Sequence, residues 1–385
     1  MGWHSRKRIR VSERAGRGAE QFPVAFDLNT EHQVRAGRMR ADGADVRIVQ
    51  CDQEIPFQME GMNTACTRVT FQVDIGPGET REDVFLMYGN PDVEAPDYDT
   101  EWGSIRATCD GFENEMLRVS YGLKQGTFGH MWGCQNAFVI KQYDEDQFGG
   151  TRISDSWAKS RNDVTYWEPN PETGPTFEVE VDGPVYKRVQ FSADEKIIQH
   201  HPGDQKRRVT DLVQRVTFYR GCPFIKEEFE HIPCGTTTTA VPGGMRLRDS
   251  DGTRHFNFVA AHFDSERITW NGIGEDKETR GGWTADRRRA EEDPRYRYLE
   301  DYTCCGFLIL GVVNLENGRG IGTCANNLQT AFFVDWNHER AGFSLWPRSP
   351  GNMTSYLYFV ETGHEAVINL GKCLANPPEV TLLDL

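Results

Sequence analysis

Residues 182–191 read DGPVYKRVQF, and residues 211–232 read DLVQRVTFYRGCPFIKEEFEHI. Apolar and polar residues alternate along both, the period of a strand with its two faces in different surroundings. Gly183-Pro184 and the run Arg220-Gly221-Cys222-Pro223 break them with turn chemistry. Alternation over ten or more residues exceeds the usual strand of about five or six. Strands of that length, paired antiparallel, call for large curved sheets packed face to face. The signal returns downstream in FEVEVDG (177–183), RHFNFVAAHF (254–263), CCGFLILGVVNL (304–315), TAFFVDW (330–336) and TSYLYFVETG (354–363). One segment departs from it: TADRRRAEED (284–293) predicts a helix, with Thr284 as N-cap and Pro294 as its stop.

Upstream, KRIRVSE (7–13), FPVAFDL (22–28), ADVRIVQ (44–50), TRVTFQVDI (67–75) and EDVFLMYG (82–89) are short strand patterns. Turn residues separate them. The acidic stretch PDVEAPDYDTEWG (91–103), with two prolines and no periodicity, reads as a linker crossed by few contacts. The expected fold is all-β: an N-terminal β-sandwich over residues 1–97, then a larger antiparallel β-supersandwich over 98–385 carrying the chemistry.

Two resemblances accompany this reading. WHSRKRIRV, MRADGADVRIV, IPFQME and FLMYGNPDV resemble a family of small β-sandwich domains of unassigned function found beside carbohydrate-active and cell-surface modules. The later chain, from Gly183-Pro184-Val185 through RVTFYRGCPFIKEEFEHI to a Trp-rich segment, is similar to the galactose-mutarotase-like supersandwich domains of polysaccharide lyases and some glycoside hydrolases. That resemblance implies sugar chemistry on a concave sheet. The helical toroid of many such lyases has no counterpart here.

Composition narrows the function classes. The chain has 385 residues, a formal charge of −15, 38% hydrophobic and 26% charged residues. Such acidity argues against phosphate-backbone binding, so no nucleic-acid partner is expected. No apolar run approaches the roughly 18 residues of a membrane span. MGWHSRKRIRVSE lacks an apolar stretch, so no signal peptide is expected, and a cytoplasmic or a processed, secreted protein both stay open. The ten cysteines form no C-x-x-C pair and read as reduced thiols, with Cys222 and Cys234 flanking one strand. No metal or cofactor is expected, and the oligomeric state is open.

Four stretches carry candidate site residues. On FIKEEFEHI (224–232), Lys226, Glu228 and Glu230 share a face, either as a solvated surface or as an acid/base platform. YGLKQGTFGHMWGCQN (121–136) sets His130 and Trp132 in a Gly-rich loop. QHHPGDQKRRV (199–209) places His201 beside basic residues, and GGMRLRDSDG (243–252) supplies Arg246. The richest is DWNHERAGFSLWPRSPGNMTSYLYF (335–359), with Trp336, His338, Arg340, Trp346, Arg348, Tyr356 and Tyr358.

Removing the proton beside a uronate carboxylate requires a cation over that carboxylate and a base on the proton. His338 or His130 fits the base, Arg340 or Arg348 the clamp, and Tyr356 the proton donor to the leaving oxygen. Trp132, Trp336, Trp346, Arg348, Arg246, His201 and Glu228 fit substrate contacts. The expected activity is lyase-like cleavage of an acidic polysaccharide or oligosaccharide by β-elimination. Glycoside hydrolysis through Glu228 or Glu230, or carbohydrate binding without turnover, are the alternatives.

Overall fold

The computed structural model describes residues 2–105, 112–114, 116–121, 131–132, 135–140, 152–154, 168–169, 176–198, 207–232, 237–239, 245–246, 258–263, 266–271, 283–284, 307–313, 318–326, 328–335, 340–347 and 351–383. Among them the fold is all-β, built of antiparallel sheets. No helix among the described residues is long and apolar enough to cross a membrane.

The N-terminal sandwich follows its alternation closely. β1 (Ser5–Ser12), β2 (Ala19–Leu28), β3 (Arg47–Gln50), β4 (Gln53–Ile55), β5 (Phe57–Glu60), β6 (Thr67–Ile75) and β7 (Thr80–Tyr88) divide into two layers. β1, β7, β3 and β4 belong to a five-stranded sheet, and β2, β6 and β5 form a three-stranded one. Ile9, Val11, Val84 and Leu86 from the first are buried with Val24, Phe26, Val69 and Phe71 from the second. Pro23, which has no backbone donor, sits on β2, the edge strand, where no ladder bond is lost.

The fifth strand of the larger N-terminal sheet comes from the other end of the chain. Glu379–Leu383 pairs with β1, from Arg8 opposite Leu383 to Ser12 opposite Glu379. The expectation of few contacts across residues 91–103 therefore differs from the structure. Gln58 Oε1 accepts from the backbone N–H groups of Val185 and Tyr186 at 3.4 and 3.3 Å. Gln72 Nε2 donates to the Arg220 carbonyl at 2.6 Å, and the Phe22 and Phe224 rings lie 5.8 Å apart. The acidic stretch itself is pinned, by Arg220 on Asp99 at 2.8 Å and by Trp102 Nε1 on the Gly183 carbonyl at 2.9 Å. A segment without periodicity can be held by side-chain bonds that no periodic pattern announces.

The quoted stretch forms the centre of a ten-stranded sheet. Strands Tyr186–Ile198 and Arg207–Tyr219, each of 13 residues, pair from Tyr186 opposite Tyr219 to Ile198 opposite Arg207. Phe224–Ile232 pairs next, then Gly351–Val360, then Gly320–Asn326 and Phe307–Val313. The inner face buries Phe218, Ile225, Phe229 and Leu357. Phe112, from a separate four-stranded sheet, stacks on Phe218 with centroids 3.9 Å apart.

Two helices among the described residues, which the alternating pattern did not suggest, complete the description. α1 (Thr30–Arg35) is capped by Asn29, whose Oδ1 accepts from the His32 N–H at 2.9 Å. α2 (His364–Ala375) lies on the outer face of the ten-stranded sheet, burying Val367, Ile368 and Leu374. Of the helix expected over 284–293, Thr284 belongs to the strand Trp283–Thr284, and 285–293 lie outside the described residues. Cys51, Cys66, Cys222, Cys324 and Cys373 form no disulfide. Cys234 lies outside the described residues.

Candidate functional site

A cavity of about 430 Å³ opens where the N-terminal sandwich arches over the ten-stranded sheet. Its roof is β2, with Glu60 from the end of β5 and Arg68 and Thr70 from β6. Its floor is the outer sheet face: Tyr186, Arg188, Thr217, Tyr219, Phe224, Lys226, Glu228 and Tyr356. Strand pairing makes this one surface. Arg188 lies opposite Thr217, Thr217 opposite Lys226, and Lys226 opposite Tyr356, and residues directly opposite share a face.

Alternation on Phe224–Ile232 decides which ionisable groups reach the cavity. Ile225, Glu227 and Phe229 point inward and are buried, while Lys226, Glu228 and Glu230 stay half-exposed. Lys226 Nζ and the Glu228 carboxylate are 2.7 Å apart. Beside them runs an alternating chain of charges. Arg188 pairs with Glu60, which also accepts from the Tyr186 hydroxyl. Arg188 Nε holds Glu180 at 2.6 Å, Arg215 Nε holds the same carboxylate at 2.9 Å, and Arg215 also pairs with Glu230. Glu180 reaches both guanidinium groups from strand Thr176–Asp182, whose register against Tyr186–Ile198 shifts between Val179 and Val181. Such a bulge re-aims a side chain.

Burial alone would lower the Arg188 pKa, but Glu60 and Glu180 hold it above its ordinary value. The aromatic wall is continuous. Tyr186 to Tyr219, Tyr219 to Phe224, and Phe224 to Tyr356 have centroids 5.8, 5.4 and 6.2 Å apart. Burial pushes the Tyr219 and Tyr356 phenols above the usual tyrosine range, so both keep their protons as donors. Flat apolar rings beside carboxylates and hydroxyls that both donate and accept are what a polyhydroxylated ring needs.

Of the described residues nominated from sequence, the cavity brings together Lys226, Glu228 and Tyr356. Tyr358, two residues beyond Tyr356, is a core residue instead: its hydroxyl donates to the Val367 carbonyl in α2 at 2.8 Å, and it is fully buried. The backbones of Trp132, Arg246, Arg340 and Trp346 belong to a different, seven-stranded sheet, in which Arg246 pairs opposite Arg340. His338, His130, Trp336, Arg348 and His201 lie outside the described residues. Glu60, Arg188, Tyr186, Tyr219 and Phe224 were not nominated. Four of them sit in the stretch that decides the fold, where alternation marks their face but not what covers it.

No family model matches the chain, and no curated protein sequence matches it. Solved structures do. The chain is similar to an α-mannosidase from Enterococcus faecalis V583, with a TM-score of 0.55 and 10% identity over 98% of this chain and 46% of that one. It is similar also to a glycosyl hydrolase family 38 protein from Enterococcus faecalis, with a TM-score of 0.53 and 10% identity over 98% of this chain and 47% of that one. The fold is shared with these chains. This chain spans less than half the length of either.

Proposed function

We propose that the chain is part of a carbohydrate-active enzyme of the glycoside-hydrolase kind, and that the cavity under the N-terminal sandwich holds a neutral sugar. One observation carries this reading. The cavity sets an aromatic wall beside two carboxylates, Glu60 from the roof and Glu228 from the floor, while among the described residues each cation lining it already has an acidic partner. Arg68 is paired with Asp27 at 3.1 Å, Lys226 with Glu228, and Arg188 with Glu60 and Glu180. A uronate entering here would have to displace one of those carboxylates. A neutral pyranose would not, because its hydroxyls donate to Glu60 and Glu228 and accept from Tyr219 and Tyr356. Two carboxylates reaching one cavity from separate elements are also the parts on which glycoside hydrolysis runs.

The β-elimination reading draws its base from His338 or His130 and its clamp from Arg340 or Arg348; His338, His130 and Arg348 lie outside the described residues, and the Arg340 backbone belongs to the seven-stranded sheet. The likeness in fold to a chain named an α-mannosidase adds support to the hydrolase side.

The test offers the protein an aryl α-mannoside, other neutral aryl glycosides and a uronate polysaccharide. We expect saturable binding of a neutral glycoside, weakened at least tenfold by Glu228→Gln, which leaves an acceptor but removes the charge (about 1.4 kcal/mol per factor of ten). We expect no ultraviolet-absorbing unsaturated product from the uronate polymer. Such a product would restore the lyase reading. Failure of every neutral sugar to bind would remove the sugar reading of the cavity.

A further inference from the structure

A second and larger space, of about 1140 Å³, lies beside the first along the same joint. Phe22 and Phe224 line both, so their tilted ring pair is a shared wall rather than a boundary between unrelated surfaces. The groove runs between β2 and α2, with Phe359 and Leu370 among its apolar residues and Glu20 and Asp74 among its polar ones.

Two features of the groove call for explanation. Asn369 of α2 lines it, and its side-chain oxygen is buried without a hydrogen-bond partner among the described residues. A buried acceptor left unpaired costs about 1–3 kcal/mol, so this one is poised for a donor from outside the protein. Next to the shared wall, Gln21 holds φ at +45°, a left-handed conformation for a residue with a side chain. The register of β2 against β6 shifts there, between Ala19 and Phe22. The strain is fixed by the Gln21 N–H on Asp74 Oδ1 at 2.7 Å, and by Gln72 Nε2 on the Gln21 carbonyl at 2.8 Å. Strain held in place by several bonds is a feature of ligand-binding positions. Here it bends β2 where the two spaces meet.

We infer that the groove is a second sugar subsite, continuous with the first across Phe22 and Phe224, so that the joint takes a neutral oligosaccharide rather than a single ring. This rests on the sugar reading of the first cavity. One unit lies on the Tyr219–Phe224–Tyr356 wall, and the chain passes Phe22 toward Asn369, whose amide oxygen accepts from a hydroxyl of a later unit.

Calorimetric titration of the whole chain with a neutral hexose and its oligomers of increasing length tests this. Affinity should rise with length by roughly tenfold once the second subsite is filled, equivalent to one additional well-made contact set. Asn369→Leu should abolish about three- to tenfold of that gain while leaving the monosaccharide affinity unchanged. Asn369→Ser, too short to reach the same hydroxyl, should do the same, and thermal melting of both variants reports that the fold is kept. Glu228→Gln should weaken all lengths alike. Oligomers binding no more tightly than the monosaccharide would overturn the second subsite and leave the first standing, as would an Asn369 variant that weakens every length equally. If no sugar of any length binds, the sugar reading of the joint falls, and this inference with it.

Discussion

The outer face of the ten-stranded sheet has two ends that differ sharply. At one end α2 lies on Tyr358, Cys324 and Ile309, all buried, and the packing is tight. A side chain at Gly322 would come within 2.3 Å of the Tyr358 ring. At the other end the N-terminal sandwich covers Arg188, Lys226 and Glu228, and the cover leaves a cavity. The same strands supply both ends. On Gly351–Val360, Tyr356 opens to the cavity and Tyr358 seals the core, two positions apart on one face. The cover makes the difference. A helix with a buried apolar stripe can close on a sheet, because apolar surfaces gain by exclusion of water. A roof that sets Pro23, Thr70, Glu60 and Arg68 among Phe22, Val24 and Ala25 closes less fully, since buried charge is costly unless paired and hydrogen-bonded.

The largest effect should come from removing the roof. Deleting residues 1–97 strips Phe22 from Phe224 and leaves Glu379–Leu383 without β1, so residues 98–385 alone should lose cooperative melting and solubility. A soluble remainder with one sharp transition would instead make residue 97 a true folding boundary, as the unpatterned acidic stretch suggests. Next comes the closed end. Gly322→Val should cost about 1–3 kcal/mol or more by overpacking, read by urea unfolding, with sugar affinity per folded molecule unchanged. Equal loss at both ends would mean that the two are not separable.

A smaller effect concerns alkaline pH. Burial raises the Tyr356 phenol above its unfolded value, so its contribution to stability is fully present below the ordinary tyrosine pKa of about 10 and is lost as pH rises above it. Tyr356→Phe should therefore flatten the fall in melting temperature above about pH 10. An unchanged slope would show that the cavity hydrates this phenol fully.

The all-β fold was legible because period-two alternation is written along each strand, and the Gly and Pro turns between strands are local. Alternation also marked the half-exposed face of Phe224–Ile232 that carries Glu228, whereas Tyr356 was singled out by the composition of its segment. Glu60 and Arg188 were not, since they lie 128 residues apart and meet only because β5 is folded over the sheet. α2 escaped notice because Val367, Ile368 and Gly371 are weak helix formers, and what stabilises this helix is the sheet beneath it. The dense segment 335–359 attracted attention by composition. Composition does not say which face of which sheet a residue occupies, and Tyr356 and Tyr358 show how far two neighbours on one face can differ in role.

The most direct test of the central claim is a crystal of the protein grown with a neutral pyranose. The account predicts a sugar ring lying against Tyr219, Phe224 and Tyr356, with hydroxyls on Glu60 and Glu228 and the Arg188–Glu180 pair undisturbed. A ring bound instead at the segment holding Trp336, His338 and Trp346, with the joint cavity empty at saturating sugar, would contradict it.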